Sequence, residues 1–111
     1  MPPIDKRAAS AAYKELKSVA GIYAVRCAAT GEVWVGQTRD VDKVWNRIHF
    51  TLLGRASPHR AMQAAWNVHG DVAFSFEALE RLEPEALDFA RDAKLKEGAA
   101  FWRERLSAAA I

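Results

Sequence analysis

GIYAVRCAATGEVWVGQTRDVDKVWNRIHFTLL, Gly21 to Leu53, is the stretch that decides the fold. Ile22, Tyr23, Val25 and Cys27 form a β-branched and aromatic run suited to a pleated, half-buried surface. Ala29-Thr30-Gly31-Glu32 supplies a turn, with Gly31 free to take positive φ. Val33-Trp34-Val35 then makes a second strand that ends at Gly36. The two runs pair as a β-hairpin with an aromatic residue on each arm, Tyr23 and Trp34. Beyond the hairpin, Val41, Val44, Trp45, Ile48 and Leu52 recur at helical spacing and form an apolar stripe. Asp40 is placed to cap that helix and Gly54 to close it. Lys43 and Arg47 are four residues apart on the stripe's flank, so their side chains stand together.

On the N-terminal side, Asp5 can cap a helix running to about Lys17, with Ala9, Ala12, Tyr13 and Leu16 on one face. On the C-terminal side, Ser57-Pro58 signals a third helix: a hydroxyl at the cap and a ring at the first helical position. Pro58, Met62, Ala65, Trp66 and His69 share its face, and Gly70 ends it. Val72 to Leu79 alternates, with Val72, Phe74, Phe76 and Ala78 on one side, as a half-buried strand does. A last long helix runs from about Pro84 to about Ala108, with Gly98 as a place to bend. The order is α-β-β-α-α-β-α. It implies an α/β (α+β) fold with a small three-stranded antiparallel sheet flanked by helices. Residues 1–20 read as an N-terminal helical extension and 21–111 as one compact domain.

Composition sets the outer limits. The 111 residues suffice for one modest core, and the mix of 50% apolar and 27% charged residues is that of a soluble globular protein. A net charge of +2 permits nucleic-acid binding without arguing for it. The lone Cys27 excludes an internal disulfide, and its place in a strand favours a buried thiol over a nucleophile. The ten-residue separations of His49, His59 and His69 do not put two metal ligands on one helix face. No apolar run approaches the roughly 20 residues of a membrane span, and no signal-peptide core follows Met1. The expectation is a cytoplasmic domain with no membrane partner.

Gly21-Ile22-Tyr23 followed by Trp34-Val35-Gly36 resembles the paired signature of the GIY-YIG endonuclease family, with Trp34 where the second tyrosine belongs. Met62 to Gly70, Phe74 to Glu80, and Leu95 with Phe101 and Trp102 resemble the family's later segments in order and spacing. The resemblance implies the family's fold and its chemistry, cleavage of phosphodiester backbones. There a tyrosine assists attack by water, an arginine holds the phosphate and a glutamate binds one divalent cation. Such roles suit the residue types: a guanidinium fork matches a phosphate, and a carboxylate is the hard ligand that Mg²⁺ or Mn²⁺ prefers.

Carried over residue by residue, Tyr23 fits the first tyrosine. Trp34 replaces the second and has no phenolic oxygen. The arginine position is Val44, inside the apolar stripe, and Arg47 lies about 60° round the helix from it. The position four residues later, often histidine in the family, is Ile48. The glutamate position is Ala99; Glu97, two residues earlier, lies about 200° round the helix. The candidate catalytic residues are thus Tyr23, Trp34, Arg47 and Glu97, with Glu97 the candidate metal ligand. Arg26, Arg39, Lys43, Arg47, Arg55 and Arg60 are the candidate nucleic-acid contacts.

The leading expectation is a GIY-YIG-like scaffold impaired in cleavage that binds nucleic-acid backbone, DNA first, without a cofactor. The alternative is an active endonuclease using Tyr23, Arg47 and Glu97 with Mg²⁺ or Mn²⁺. A third reading is a protein-interaction module or homodimer built on the tryptophans and the N-terminal helix.

Overall fold

The hairpin forms as its residues direct. Strand β1 (Gly21–Cys27) pairs antiparallel with β2 (Val33–Thr38), from Gly21 opposite Thr38 to Arg26 opposite Val33. Gly31 takes φ 78° in the turn, where the Thr30 hydroxyl accepts the Glu32 amide at 3.1 Å. The computed structural model describes residues 18–84 and 87–111. The helix expected over Asp5–Lys17 lies outside them.

Helices α1 (Val44–Leu53) and α2 (Arg60–His69) follow, then a short 3-10 turn (Asp71–Ala73) and strand β3 (Phe74–Arg81). Helix α3 (Asp88–Leu106) and a two-residue strand β4 (Ala109–Ala110) complete the described chain. The sheet order is β3-β1-β2-β4. Its three antiparallel members are those the sequence implies. The fourth strand was not expected: Ser107 ends α3 in the left-handed region at φ 52°, which turns the chain so that β4 runs parallel to β2 beside Trp34 and Val35.

Alternation along β1 splits the core into two layers. Tyr23, Val25 and Cys27 face the first, with Trp34, Phe74 and the apolar stripe of α1 (Val44, Ile48, Leu52) and Met62, Ala65 and Trp66 of α2. Ile22 and Ala24 face the second, with Val35 and with Leu95 and Ala99 of α3. Helices therefore cover both faces of the sheet.

Several local expectations are corrected. Asp40 does not cap α1 with its side chain. Its carbonyl accepts the amides of Lys43 and Val44 in a turn, and the helix starts three residues later than a cap at Asp40 implies. Ser57 organises the start of α2 through its hydroxyl, which accepts the His59 amide, but Pro58 precedes the helix and His59 is its N-cap residue. His69 is exposed and does not share the buried face of α2. Val72 is 96% exposed in the 3-10 turn, so β3 begins at Phe74 and extends to Arg81. Strand β2 runs on past Gly36 to Thr38 because β1 keeps pairing with it. Gly98 does not interrupt α3. A Cβ there would lie 3.0 Å from Ile22 Cγ1, so its role is close approach of helix to sheet.

Candidate nucleic-acid interface

Because β4 covers β2 only at Trp34 and Val35, no strand among the described residues pairs with the outer side of the Gly36–Thr38 end of β2. Elements from both layers reach that edge. Gln37, Thr38, Arg39 and Asp40 from the end of β2, Arg47 from α1, and Asp92, Leu95 and Lys96 from α3 line one hollow of about 780 Å³. Three cationic side chains and two carboxylates surround it. Asp92 is already engaged with Arg39 at 3.3 Å and with Arg91 at 3.3 Å. Arg47 takes no ion pair among the described residues.

Tyr23 does not itself line this hollow; Arg47, which does, is the residue that connects the two. The Tyr23 ring is buried, stacked on Phe76 at 5.6 Å, and its hydroxyl reaches beneath Gly36. A Cβ on Gly36 would lie 2.5 Å from the phenolic oxygen, so the missing side chain makes the room the phenol occupies. Burial pushes the Tyr23 phenol above its usual value, and the neighbouring Arg47 guanidinium draws it part of the way back. Tyr23 is therefore a neutral hydrogen-bond donor at physiological pH. Its raised value stabilises the fold fully below about pH 10, and that contribution is lost as pH rises through the folded-state value. With Tyr13 replaced by phenylalanine to leave a single phenol, tyrosinate absorbance should show Tyr23 half-ionised above pH ~10. Arg47→Ala should move it higher still. Ionisation at or below the ordinary value, or no response to Arg47→Ala, would contradict this geometry.

The other sequence candidates separate. Trp34, 2% exposed, stacks on Phe74 with centroids 6.0 Å apart in the first core layer. It is a packing residue and not part of the hollow. Glu97 lines a different hollow, with Glu80, Leu82, Lys94, Gly98 and Phe101, and is not brought to Tyr23 and Arg47. Arg26 projects from the second face of β1 and pairs with Glu77 of β3 at 2.6 Å. Arg39 reaches the hollow while paired to Asp92. Lys43 joins Arg47 around an adjoining hollow of about 620 Å³. Arg55, at φ 54° after α1, and Arg60, at the start of α2, line neither.

Ala99, at the position the resemblance gives to a metal-binding glutamate, is 1% exposed among Ile22, Ala24 and Val35. No group of three or more His, Cys, Asp or Glu among the described residues could hold a metal ion. The hollow at the β2 edge carries more cationic side chains than carboxylates. This cationic excess suits an anion, and the only carboxylates the hollow offers to the divalent cation that the resemblance implies are Asp40 and Asp92. Gln37, Asp92 and Lys96 were absent from the sequence candidates. The signal for the last two was their spacing around buried Leu95, which turns them toward the same side as the sheet edge.

No family model and no curated protein matches the chain. Solved structures do. The catalytic domain of the homing endonuclease I-TevI matches with a TM-score of 0.68 and 25% identity over 83% of this chain and 97% of that one. The same domain of the intron endonuclease I-TevI, as a glutamate-to-alanine mutant, matches with a TM-score of 0.67 and 28% identity, covering 80% and 84%. I-TevI is a GIY-YIG homing endonuclease. The chain is GIY-YIG-like. Within the GIY-YIG-like domain, both signature glycines have structural reasons. Gly36 makes space for the Tyr23 phenol, and a Cβ on Gly21 would strike the Glu80 carbonyl oxygen of β3. No helix among the described residues is long and apolar enough to cross a membrane.

Proposed function

We propose that this GIY-YIG-like domain binds the nucleic-acid backbone at the Gly36–Thr38 end of β2 and is impaired in cleaving it. The carrying observation is the placement of Arg47: exposed, with no ion pair among the described residues, lining the hollow at the β2 edge while its charge acts on the buried Tyr23 phenol. A phosphate there meets a guanidinium fork from α1 and an ammonium from Lys96 on α3. The Tyr23 hydroxyl, held neutral, can donate but is a poor base. The likeness to endonuclease catalytic domains supports nucleic acid, DNA first, as the partner.

Impairment follows from what the charged positions have become. Val44, 3% exposed, is a core residue, and Ala99 packs against the sheet. Removing one preorganised charge from a site of this kind costs about 10²–10³ in rate. Here both the family's arginine and its glutamate are replaced by aliphatic groups. Arg47 restores a cation near the hollow, whereas Glu97, in another hollow, restores no carboxylate to it.

The test is binding of a fluorescently labelled duplex in EDTA across a salt series. Wild type should bind, with affinity falling steeply as salt rises. Arg47→Ala should weaken binding about tenfold, a loss of one charge-assisted contact, and reduce the salt slope by about one. Added Mg²⁺ should give no cleavage above background. Absence of binding at low salt would refute the backbone reading, and Mg²⁺-dependent cleavage would refute the impairment.

A further inference from the structure

We propose that the outer face of α1 is a base-stacking platform that selects single-stranded nucleic acid over duplex, with Phe50 as the stacking ring. This rests on the backbone-binding reading above. Phe50 is 76% exposed, although it belongs to a helix that buries Val44, Ile48 and Leu52 on its other side. It does not stand in an isolated apolar patch. Lys43, Asn46, Arg47 and Phe50 fall at spacings of three, four and seven, which places them on one helix face. They line one hollow of about 620 Å³ together with Val44 and Asp40.

The charge on this face fixes the occupant. Lys43 and Arg47 take no ion pair among the described residues, whereas Arg26, Arg39, Arg81 and Arg91 all do. Asp40 supplies a carboxylate at the junction, so the face keeps an excess of positive charge. An exposed aromatic ring at the end of a helix face that carries two uncommitted cations matches a strand of alternating phosphates and bases. Arg47 borders this hollow and the one at the β2 edge, so a phosphate held at that edge leaves its base directed to Phe50. In a duplex the base faces are already stacked on their neighbours and are not available to a side chain. A single strand presents them, and stacking tolerates any sequence because every base has a π face. Asn46 offers both donor and acceptor to a base edge.

The experiment compares a labelled single-stranded oligonucleotide carrying 2-aminopurine with the matching duplex, using the whole chain at low salt. Phe50→Ala should weaken single-strand binding about tenfold, within the range for losing one stacked base, and change duplex binding less than twofold. It should also abolish the quenching of 2-aminopurine. Phe50→Trp should retain both the affinity and the quenching. Because Phe50 is exposed, Phe50→Ala should leave the melting temperature unchanged. If Phe50→Ala leaves single-strand affinity intact while Arg47→Ala still weakens both forms, the platform is refuted and the backbone reading stands. If wild type binds neither form, both readings fall. If Phe50→Ala instead abolishes self-association in sedimentation, the face is a contact between copies of the chain and the platform is refuted.

Discussion

Gly21→Ala should lower the unfolding free energy by about 3 kcal/mol, at the upper end of what overpacking costs. The reason is steric, not conformational. Gly21 sits in β1 opposite Arg81 of β3, just before the register shift at Ile22/Tyr23, and an added Cβ would strike the Glu80 carbonyl oxygen and press on Val41 Cβ at 3.2 Å. A backbone carbonyl in a sheet ladder cannot swing aside as a side chain can. Relief requires β1 and β3 to part, which loosens both core layers at once. In a domain of this size 3 kcal/mol corresponds to a fall of roughly 12–24 °C in melting temperature. Gly31→Ala is the informative control. There the backbone has φ 78° but nothing lies within 4 Å, so its cost is conformational and should be about 1 kcal/mol. Denaturant unfolding of the two variants separates the causes. A Gly21→Ala loss no larger than that of Gly31→Ala would mean that the close approach of β1 and β3 is not as described.

Gly36→Ala should cost about 2 kcal/mol and act through Tyr23. Its added methyl meets the end of a side chain: the phenolic oxygen at 2.5 Å and Cζ at 2.6 Å. The ring must turn, but it is held by stacking on Phe76, which in turn stacks on Trp45 at 5.7 Å. Displacing it therefore disturbs a row of three aromatic side chains. The two positions should be coupled. Tyr23→Ala should cost measurably less in the Gly36→Ala background than in wild type, since there removing the ring also relieves the clash, and the coupling should exceed 0.5 kcal/mol. Additive losses would show that Gly36 is required for some other reason. The same displacement moves the phenol away from Arg47, so Gly36→Ala should also weaken duplex binding, although neither glycine touches a ligand in the proposed reading.

Much of this was legible in the chain because the relevant physics is local. The β-branched and aromatic run from Ile22 to Cys27 and the Gly31 turn determine the hairpin, and the spacing of Val44, Ile48 and Leu52 determines which face of α1 is buried. The parts that escaped depend on tertiary placement. Ala109-Ala110 has no strand propensity of its own; β4 exists because Ser107 turns the chain back onto β2, where the Ile111 amide donates to the Val35 carbonyl at 3.1 Å. Val72 continues an alternating pattern yet pairs with nothing, since the 3-10 turn that carries it is fastened elsewhere: Asp71 lies 3.1 Å from His49 of α1. Asp40 has the composition of a cap, but the chain makes a turn first, with Val41 buried and its amide donated to the Val19 carbonyl.

At the candidate site, Tyr23 and Arg47 could be named from the signature and from helix geometry, and the Arg47 guanidinium is near enough to act on the Tyr23 phenol. Lys96 could not, because its relevance depends on α3 passing the end of β2. Nor does a charge count show which arginines are committed. Arg26 and Arg39 are as basic as Arg47 in the sequence, but each already faces a carboxylate. A phosphate must displace that partner before it can use them.

The most direct test of the account is amide chemical-shift mapping on titration with a short DNA duplex in EDTA. The shifts should gather on Gln37, Thr38, Arg39, Arg47 and Lys96 at the β2 edge, while Arg26, Glu77 and Glu97 stay still. Shifts centred on Glu97 and Phe101, or on the Arg26–Glu77 side of the sheet, would contradict it.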